Sequence, residues 1–219
     1  RLCTRRLELE RAEARRMAGL FRRERQLARA GARLVAGVDE AGVGPLAGPI
    51  VAAAVVLPGR VSLAGLDDSK RVDPRRRARL DAEIRRQALA FAVAELAAAE
   101  VDALNVYRAG LEAMRRAVEG LPLRPDHVLV DARTIPGICA PQTAILGGDA
   151  SEACIAAASI LAKEHRDRVM RRHHAEYPEY GFARHKGYGT AAHREALRRY
   201  GPCPIHRRSF APVAQTRLF

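Results

Sequence analysis

The feature that most constrains the fold of this chain is a series of short apolar segments separated by Gly- and Pro-containing loops and by helix-forming stretches. Residues 34–38 and 50–57 are apolar runs joined by the loop 41–45, and they predict two buried strands. Residues 89–96 and 127–130 predict further strands. Early strands followed by alternating strands and helices predict an α/β fold, in which a mixed β-sheet is flanked by helices.

Helix-forming segments lie before, between and after these strands. Residues 4–30 are rich in Arg, Glu, Leu and Ala and contain no Pro, which predicts a basic surface helix with a solvated face. Pro74 suits the first turn of a helix that continues to Gln87. Residues 106–118 predict an amphipathic helix, and a helical C-terminal subdomain is expected after the sheet.

Two hydroxyl residues mark helix starts in the second half of the chain. Ser151 is predicted to cap a long helix that ends near His174. Thr190 is predicted to cap a helix that ends near Tyr200. A further short strand is predicted at residues 143–146.

The charge of the chain indicates what kind of partner it binds. Lys and Arg number 38 and Asp and Glu 25, which gives a formal net charge of +13. Such an excess favours polyanionic partners, because a cation near a phosphate releases a condensed counterion. The alternative is a protein from an Arg-rich genome whose basic side chains are only solvated.

The cysteines and the hydropathy pattern exclude several classes of protein. The four cysteines form no Cys-x-x-Cys pair, which argues against a structural zinc site and a dense disulfide framework. No apolar run reaches membrane-spanning length, and the first residues lack the apolar core of a signal peptide. We therefore expect a cytoplasmic protein with reduced thiols and no membrane contact.

Acidic residues follow the predicted strands or precede a helix at three separate places. These acids are Asp39 with Glu40, Asp131 and Asp149. Sites in α/β folds collect at strand ends, and carboxylates gathered there repel one another unless cations neutralise them. An all-oxygen set without Cys favours Mg²⁺ or Mn²⁺ over zinc. Each acid taken alone is more often a cap or a turn residue, so the residues themselves leave both interpretations open.

Several long sequence blocks follow one another between about Leu34 and Phe210. They are VDEAGVGPLAGP at residues 38–49, LDDSK at 66–70, LVD at 129–131, GDAS at 148–151, AAASILAK at 156–163 with Arg166 and Asp167, HKGYGT at 185–190 and HRRSF at 206–210. In content and order, these blocks resemble the motifs of the ribonuclease HII (type 2 ribonuclease H) family.

The resemblance implies a ribonuclease H-like fold and an endonuclease. By resemblance, Asp39, Glu40, Asp131 and Asp149 are the catalytic acids and hold two Mg²⁺ or Mn²⁺ ions. The implied substrates are RNA–DNA hybrids and duplex DNA with single embedded ribonucleotides, cut to leave 5′-phosphate and 3′-hydroxyl ends. The implied roles are ribonucleotide removal and primer clearance.

The same resemblance implies a set of substrate contacts. The main chain of Gly42, Val43 and Gly44 is expected to read the ribose 2′-hydroxyl, because glycine lets bare backbone approach a nucleic acid. Tyr188 is expected to pack on the sugar at the RNA–DNA junction. The remaining candidate contacts are Lys70, Ser159, Lys163, Arg184, His185 and Lys186.

Each of these residues also has a simpler interpretation. The glycines would then only shape a turn, and Tyr188 would be a core aromatic. A lone basic residue is usually solvated, and Lys163 would pair with Asp167 one helical turn later. We interpret Asp167 as structural and the adjacent His173 and His174 as surface residues, since they lack the i, i+4 spacing of helical zinc ligands.

The chain departs from the family pattern at two positions. Val43 stands where Arg is usual, so a side-chain phosphate contact is lost, and Ala132 stands where Gly is common. Val43 keeps a second hypothesis open, a non-catalytic or weakened duplex-binding protein on the same fold. A third hypothesis is a DNA nuclease or recombinase built on four acids, against which the glycines and Tyr188 argue.

The last five residues resemble the Gln-x-x-Leu-Phe peptide by which bacterial replication proteins dock on the sliding clamp. Gln215, Leu218 and Phe219 are the matching positions. An apolar anchor on a free tail suits groove binding, although a frayed terminus is the alternative.

The expected organisation has four parts, and the protein is expected to be a monomer. They are a basic helical extension (1–33), a ribonuclease H-like catalytic core (34–175), a helical C-terminal subdomain (176–214) and the tail (215–219).

Overall fold

A computed structural model describes residues 2–59 and 61–217. Its strands are β1 (Val35–Ala41), β2 (Ile50–Val56), β3 (Ala90–Leu96), β4 (His127–Asp131) and β5 (Gln142–Ile145). Its helices are α1 (Leu2–Leu20), α2 (Arg22–Arg29), α3 (Pro74–Gln87), α4 (Ala98–Leu104), α5 (Val106–Glu119), α6 (Gly148–Ser151), α7 (Ala153–Glu176), α8 (Phe182–His185), α9 (Ala191–Tyr200) and α10 (Ala211–Ala214), with short 3₁₀ turns at Pro178–Tyr180 and Gln215–Arg217.

The five strands form one mixed sheet in the order β3-β2-β1-β4-β5. The hairpin loop between β1 and β2 makes them antiparallel, and β3 is antiparallel to β2. The longer connections that lead to β4 and β5 make the pairs β1–β4 and β4–β5 parallel. This arrangement confirms the predicted α/β class with a mixed sheet flanked by helices.

Both faces of the sheet are covered by helices, which explains why β2 is apolar and buried at every position. On one face, Ala36 and Val38 of β1 share a core with Ala113 and Met114 of α5. On the other face, β2 packs on α3 and α7. Helix α7 reaches β1 directly, because a Cβ on Gly37 would lie 2.1 Å from the main chain of Cys154.

Three local predictions were wrong or incomplete. Ser151 does not cap the long helix but ends α6, where its Oγ donates to the carbonyl of Gly147; Glu152 is the N-cap of α7. Helix α4 was not predicted, because its seven residues are too few for a clear helical period. The predicted helix 4–30 is two helices, and its surface interpretation fails at Leu20 and Phe21, which are buried.

The remaining helix predictions agree with the structure. Asp73 caps α3 with Pro74 in the first turn, and the Thr190 hydroxyl accepts a hydrogen bond from the amide of His193 at the start of α9. Within the two described ranges, every helix is too short or too polar to cross a lipid bilayer.

Candidate active site

Two of the predicted acids are brought together by the parallel pairing of the two central strands. Val38 of β1 stands opposite Val130 of β4, so the next residues, Asp39 and Asp131, follow side by side at the carboxyl ends of the strands. Asp39 is buried, and strand alternation places it on the same face of β1 as Gly37, the face that packs on α7.

Asp149 reaches the same place through a turn that Asp131 holds. The Asp131 Oδ1 accepts a hydrogen bond of 2.8 Å from the amide of Gly148, the first residue of α6. Asp149 follows in the first turn of that helix and is buried. One carboxylate therefore both belongs to the acid group and places the next acid.

The pKa values of three of these acids record their mutual repulsion. Burial, then the charges of Glu40 and Asp131, raise the pKa of Asp39 well above its usual range. Burial and Asp131 also raise the pKa of Glu40, against the opposing effect of Arg133, whose Nη1 lies 3.7 Å from Glu40 Oε1. The pKa of Asp149 is raised as well, first by burial and then by the charges of Asp68 and Asp131. The acids share one electrostatic environment that a cation would relieve.

The donor set suits a hard divalent cation, although its side chains are not assembled around one point. All four groups are carboxylates, which Mg²⁺ and Mn²⁺ prefer. Within residues 2–59 and 61–217, no three His, Cys, Asp or Glu side chains converge in a ligating arrangement. Binding of an ion would thus require carboxylate side chains to rotate towards it.

A cleft opens beside the acids and contains most of the predicted substrate contacts. Tyr188 is 45% exposed there, so it is not a core aromatic. The cleft is lined by Glu40, Ala41, Gly42, Val43, Gly44, Ser69, Lys70, Ser159, Lys163, Arg166 and Tyr188. The glycine loop (residues 42–44) and Tyr188 therefore face the same space.

The glycine loop is held from beneath by Arg207, a residue to which sequence reasoning assigned no role. Arg207 is fully buried, and its guanidinium donates to the carbonyl oxygens of Gly42 at 2.5 Å, Val43 at 2.8 Å and Gly48 at 2.9 Å. In a trans peptide the N–H points opposite to the preceding C=O. The amides of Val43 and Gly44 consequently point away from Arg207, and within the described part of the chain neither has an acceptor.

Arg166 of α7 is a second buried guanidinium with the same kind of partners. It donates to the carbonyl oxygens of Ala47, Pro49 and Lys186 at 3.0 to 3.1 Å. Gly42 must be glycine, since its φ is +94° and a Cβ would lie 2.1 Å from Arg166 Nε. A signal for both arginines was present in the sequence, because they lie in the blocks 156–167 and 206–210, but nothing there indicated carbonyl partners.

Two neutral histidines hold the main chain of Tyr188. His193 Nδ1 lies 2.9 Å from the Tyr188 carbonyl oxygen, and His193 Nε2 lies 3.0 Å from His206 Nε2. Burial lowers the pKa of both imidazoles to about 4. Neutral rings can form this chain, because one Nε2 then donates to the other. Sequence reasoning missed this contribution of the C-terminal helices.

Of the candidate basic contacts, Lys70 and Lys163 lie at the cleft, and both have acidic neighbours. Lys70 Nζ lies 3.7 Å from Asp149 Oδ2. Lys163 Nζ donates to Asp167 at 2.7 Å, and Asp167 also accepts from Arg77, which supports its structural interpretation. Ser159 is buried, and its Oγ donates to Ser69 Oγ at 2.9 Å.

The other three candidates do not line the cleft. Arg184 is exposed, and Lys186 Nζ donates to the carbonyl of Ala183. His185 has both ring nitrogens occupied, Nε2 by the Tyr180 carbonyl and Nδ1 by the Gly187 amide. In the tail, Gln215 lies in a 3₁₀ turn, whereas Leu218 and Phe219 lie outside the described residues.

Comparison with known proteins agrees with this geometry. The family model described as "Ribonuclease HII" matches residues 36–213. A ribonuclease HII from Myxococcus xanthus is 55% identical over 211 residues, which are 96% of this chain and 72% of that protein. A ribonuclease HII from Moorella thermoacetica is 53% identical over 198 residues, 90% of this chain and 96% of that protein.

Solved structures show the same fold. The ribonuclease H2 of Pyrococcus horikoshii superposes with a TM-score of 0.70 at 28% identity, covering 84% of this chain and 96% of that one. The ribonuclease HII in a complex with PCNA from Archaeoglobus fulgidus superposes with a TM-score of 0.62 at 25% identity, covering 81% of this chain and 95% of that one. Bst-RNase HIII in complex with Mn²⁺ superposes with a TM-score of 0.67 at 17% identity, covering 84% of this chain and 69% of that one. Taken with the acids at the ends of β1 and β4, these matches establish that the chain belongs to the ribonuclease HII family of nucleases.

Proposed function

We propose that this protein is an endoribonuclease that hydrolyses the RNA strand of RNA–DNA hybrids and cuts 5′ to single ribonucleotides embedded in duplex DNA. The products would carry 5′-phosphate and 3′-hydroxyl ends. The observation that carries the proposal is the cleft in which the glycine loop, with two amides free to bind, and Tyr188 stand beside the acids.

Four carboxylates would hold the metal. Asp39, Glu40, Asp131 and Asp149 share one field, and the repulsion among them favours a divalent cation as partner. A pair of Mg²⁺ or Mn²⁺ ions bound there would supply an activated water and would stabilise the leaving 3′ oxygen. The Mn²⁺ complex of Bst-RNase HIII, which shares the fold, supports the choice of ions.

The glycine loop would distinguish RNA from DNA. The 2′-hydroxyl is the group that RNA has and DNA lacks, and it can accept a hydrogen bond from a backbone amide. Arg207 turns the loop carbonyls inward, so the amides of Val43 and Gly44 are directed outward as donors. Backbone recognition does not depend on the side chain at position 43, and therefore it survives the presence of Val43.

Tyr188 and the lysines of the cleft would place the substrate. The exposed ring of Tyr188 offers a flat surface for a sugar at the RNA–DNA junction. Lys70 and Lys163 would approach phosphates, and the net charge of +13 would attract a duplex over a longer range. Arg184, His185 and Lys186 are the remaining candidate phosphate contacts. His185 Nε2 and Lys186 Nζ already have main-chain partners, so a phosphate would have to displace these.

Cleavage of a duplex with one ribonucleotide, with and without Mg²⁺ or Mn²⁺, tests the proposal. We expect metal-dependent cutting 5′ to the ribonucleotide and none of an all-DNA duplex. Asp39→Asn should abolish cutting and leave the circular dichroism spectrum unchanged. Salt-dependent binding without cleavage would instead support a duplex-binding protein weakened at Val43, and cutting of all-DNA would support a DNA nuclease.

We further propose that the C-terminal tail docks on the sliding clamp. The ribonuclease HII of Archaeoglobus fulgidus forms a complex with PCNA, which supports such a partner. Removing residues 215–219 should weaken clamp pull-down and leave cleavage unchanged; unaltered pull-down would contradict the idea. The free thiols of Cys139, Cys154 and Cys203 fit the expected cytoplasmic location, and the protein would act as a monomer.

A further inference from the structure

The N-terminal helix α1 precedes residues 36–213, which match the family model, yet it is packed against the catalytic core. Leu20, the last residue of α1, and Phe21, which follows it, are buried in the same apolar cluster as Leu63 and Leu66, and Met17 packs against that cluster. These contacts fix the last turns of α1 against the lysine loop, which we define as residues 65–70.

A pair of charged residues on α1 binds the main chain of this loop. Arg16 donates to both carboxylate oxygens of Glu13 at 2.8 Å. Glu13 Oε1 accepts a hydrogen bond of 2.6 Å from the amide of Gly65, and Arg16 Nη1 donates to the Leu66 carbonyl at 2.8 Å. The hydrogen bonds from Arg16 hold the pKa of Glu13 at about 2, so the pair is charged at neutral pH.

The far end of the lysine loop is anchored to the site. Ser69 Oγ accepts from Ser159 Oγ at 2.9 Å, and the Ser69 carbonyl accepts from Arg77 at 3.1 Å. Lys70 lies between this anchor and solvent. Its side chain is 78% exposed, and its Nζ lies 3.7 Å from Asp149 Oδ2.

We propose that α1 is a positioning element for the active site, in which Glu13 and Arg16 fix the backbone of the lysine loop and thereby place Lys70 at the acids. The inference rests on the proposed function. An exposed lysine takes its place from its backbone, and that backbone is bound at both ends, by α1 at Gly65 and Leu66 and by the core at Ser69. Neither Glu13 nor Arg16 would touch the substrate.

A double-mutant cycle tests this coupling. Glu13→Ala should lower kcat/KM on the single-ribonucleotide duplex by about threefold or more. It should also lower the slope of log KM against log salt by about one, and Lys70→Ala should do the same, because one phosphate contact would be lost in both. The double variant should match Lys70→Ala alone. Effects that multiply, or a slope unchanged by Glu13→Ala, would overturn the proposal.

Glu112→Ala is the matched control. Glu112 on α5 accepts two hydrogen bonds from Arg115, three residues later, as Glu13 does from Arg16, and a third from Arg116. Within the described residues, its partners all lie on its own helix. Glu112→Ala should leave kcat/KM and the salt slope unchanged. If Glu13→Ala unfolds the protein, Arg16→Lys, which keeps the charge but loses the two-pronged geometry, replaces it with the same expectations.

Hydrogen exchange separates this proposal from the proposed function. In Glu13→Ala the Gly65 amide should exchange faster, whereas the amides of α5 should not change. If the unmodified protein cuts no ribonucleotide substrate, the proposed function fails while this exchange result still reports on the loop. If the Gly65 amide exchanges at the same rate in Glu13→Ala as in the unmodified protein, positioning by α1 is refuted, even where the unmodified protein is a fully active enzyme.

Discussion

The guanidinium of Arg207 lies beneath the glycine loop and donates to the carbonyl oxygen of Val43 at 2.8 Å. Arg207 is fully buried, and its guanidinium also donates to the carbonyl oxygens of Gly42 and Gly48. A buried cation needs hydrogen-bond partners, and here main-chain oxygens fill that role. The fold therefore uses a C-terminal residue to shape a loop that lies about 160 residues earlier in the chain.

Arg207→Lys is expected to destabilise the protein and the glycine loop together. An ammonium cannot reach the three carbonyls that the planar guanidinium binds, so buried acceptors lose their donors. The expected loss is about 3 kcal/mol in the free energy of unfolding, measured by urea denaturation. Discrimination between ribonucleotide and all-DNA duplexes should fall as well. Arg208→Lys, at the adjacent position, is the control, and an equal loss there would contradict the assignment.

Val43→Arg is expected to improve substrate binding. Position 43 lies in the cleft, and an arginine there would add a phosphate contact that valine cannot make. KM should fall by about three- to tenfold at low salt, and its salt dependence should become steeper. Val43→Gln adds similar length without charge and should leave KM nearly unchanged. Equal KM values for the arginine and valine forms would refute the contact.

Tyr188→Ala is expected to impair cleavage more than folding. The ring is 45% exposed, so its loss removes little core packing. Loss of the sugar contact should lower kcat/KM, which corresponds to a rise of about 1–3 kcal/mol in the activation free energy. Tyr188→Phe keeps the flat ring and should retain most of the activity. A Phe variant as impaired as the Ala variant would mean that the hydroxyl, not the ring face, is needed.

Glu24 is expected to make stability depend on pH. Burial raises its pKa to about 7, only partly opposed by hydrogen bonds from Cys154, and Glu152 adds repulsion. A carboxyl group whose folded pKa is raised contributes stability that is fully present below its unfolded pKa, 4.5, and is lost as the pH rises through about 7.

Glu24→Gln removes this titration and keeps an oxygen for the Cys154 amide. Its free energy of unfolding should therefore exceed that of the unmodified protein at about pH 8 and approach it at about pH 5. Urea denaturation at the two pH values measures the difference. A constant offset between the two proteins across this range would show that Glu24 does not titrate there.

Much of the fold could be predicted from the sequence because the signals are local. The apolar runs before Asp39 and Asp131 predicted the strands that carry these acids, and Pro74 and Thr190 predicted helix starts. Asp149 was predicted from its place before a helix, and the family motifs added Tyr188 to the candidate site. The failure at Ser151 is also local, since a nearby residue, Glu152, starts α7 instead.

What the tertiary structure alone decided are the contacts between distant segments. The sequence by itself determined the strands, the acids that follow them and the basic character of the chain. Periodicity, turn residues and charge are properties of neighbouring residues. Arg166 and Arg207 bind main-chain carbonyls, and Glu13 binds the amide of Gly65. Every residue but proline offers the same main-chain groups, so no side-chain pattern identifies such partners before the chain is folded.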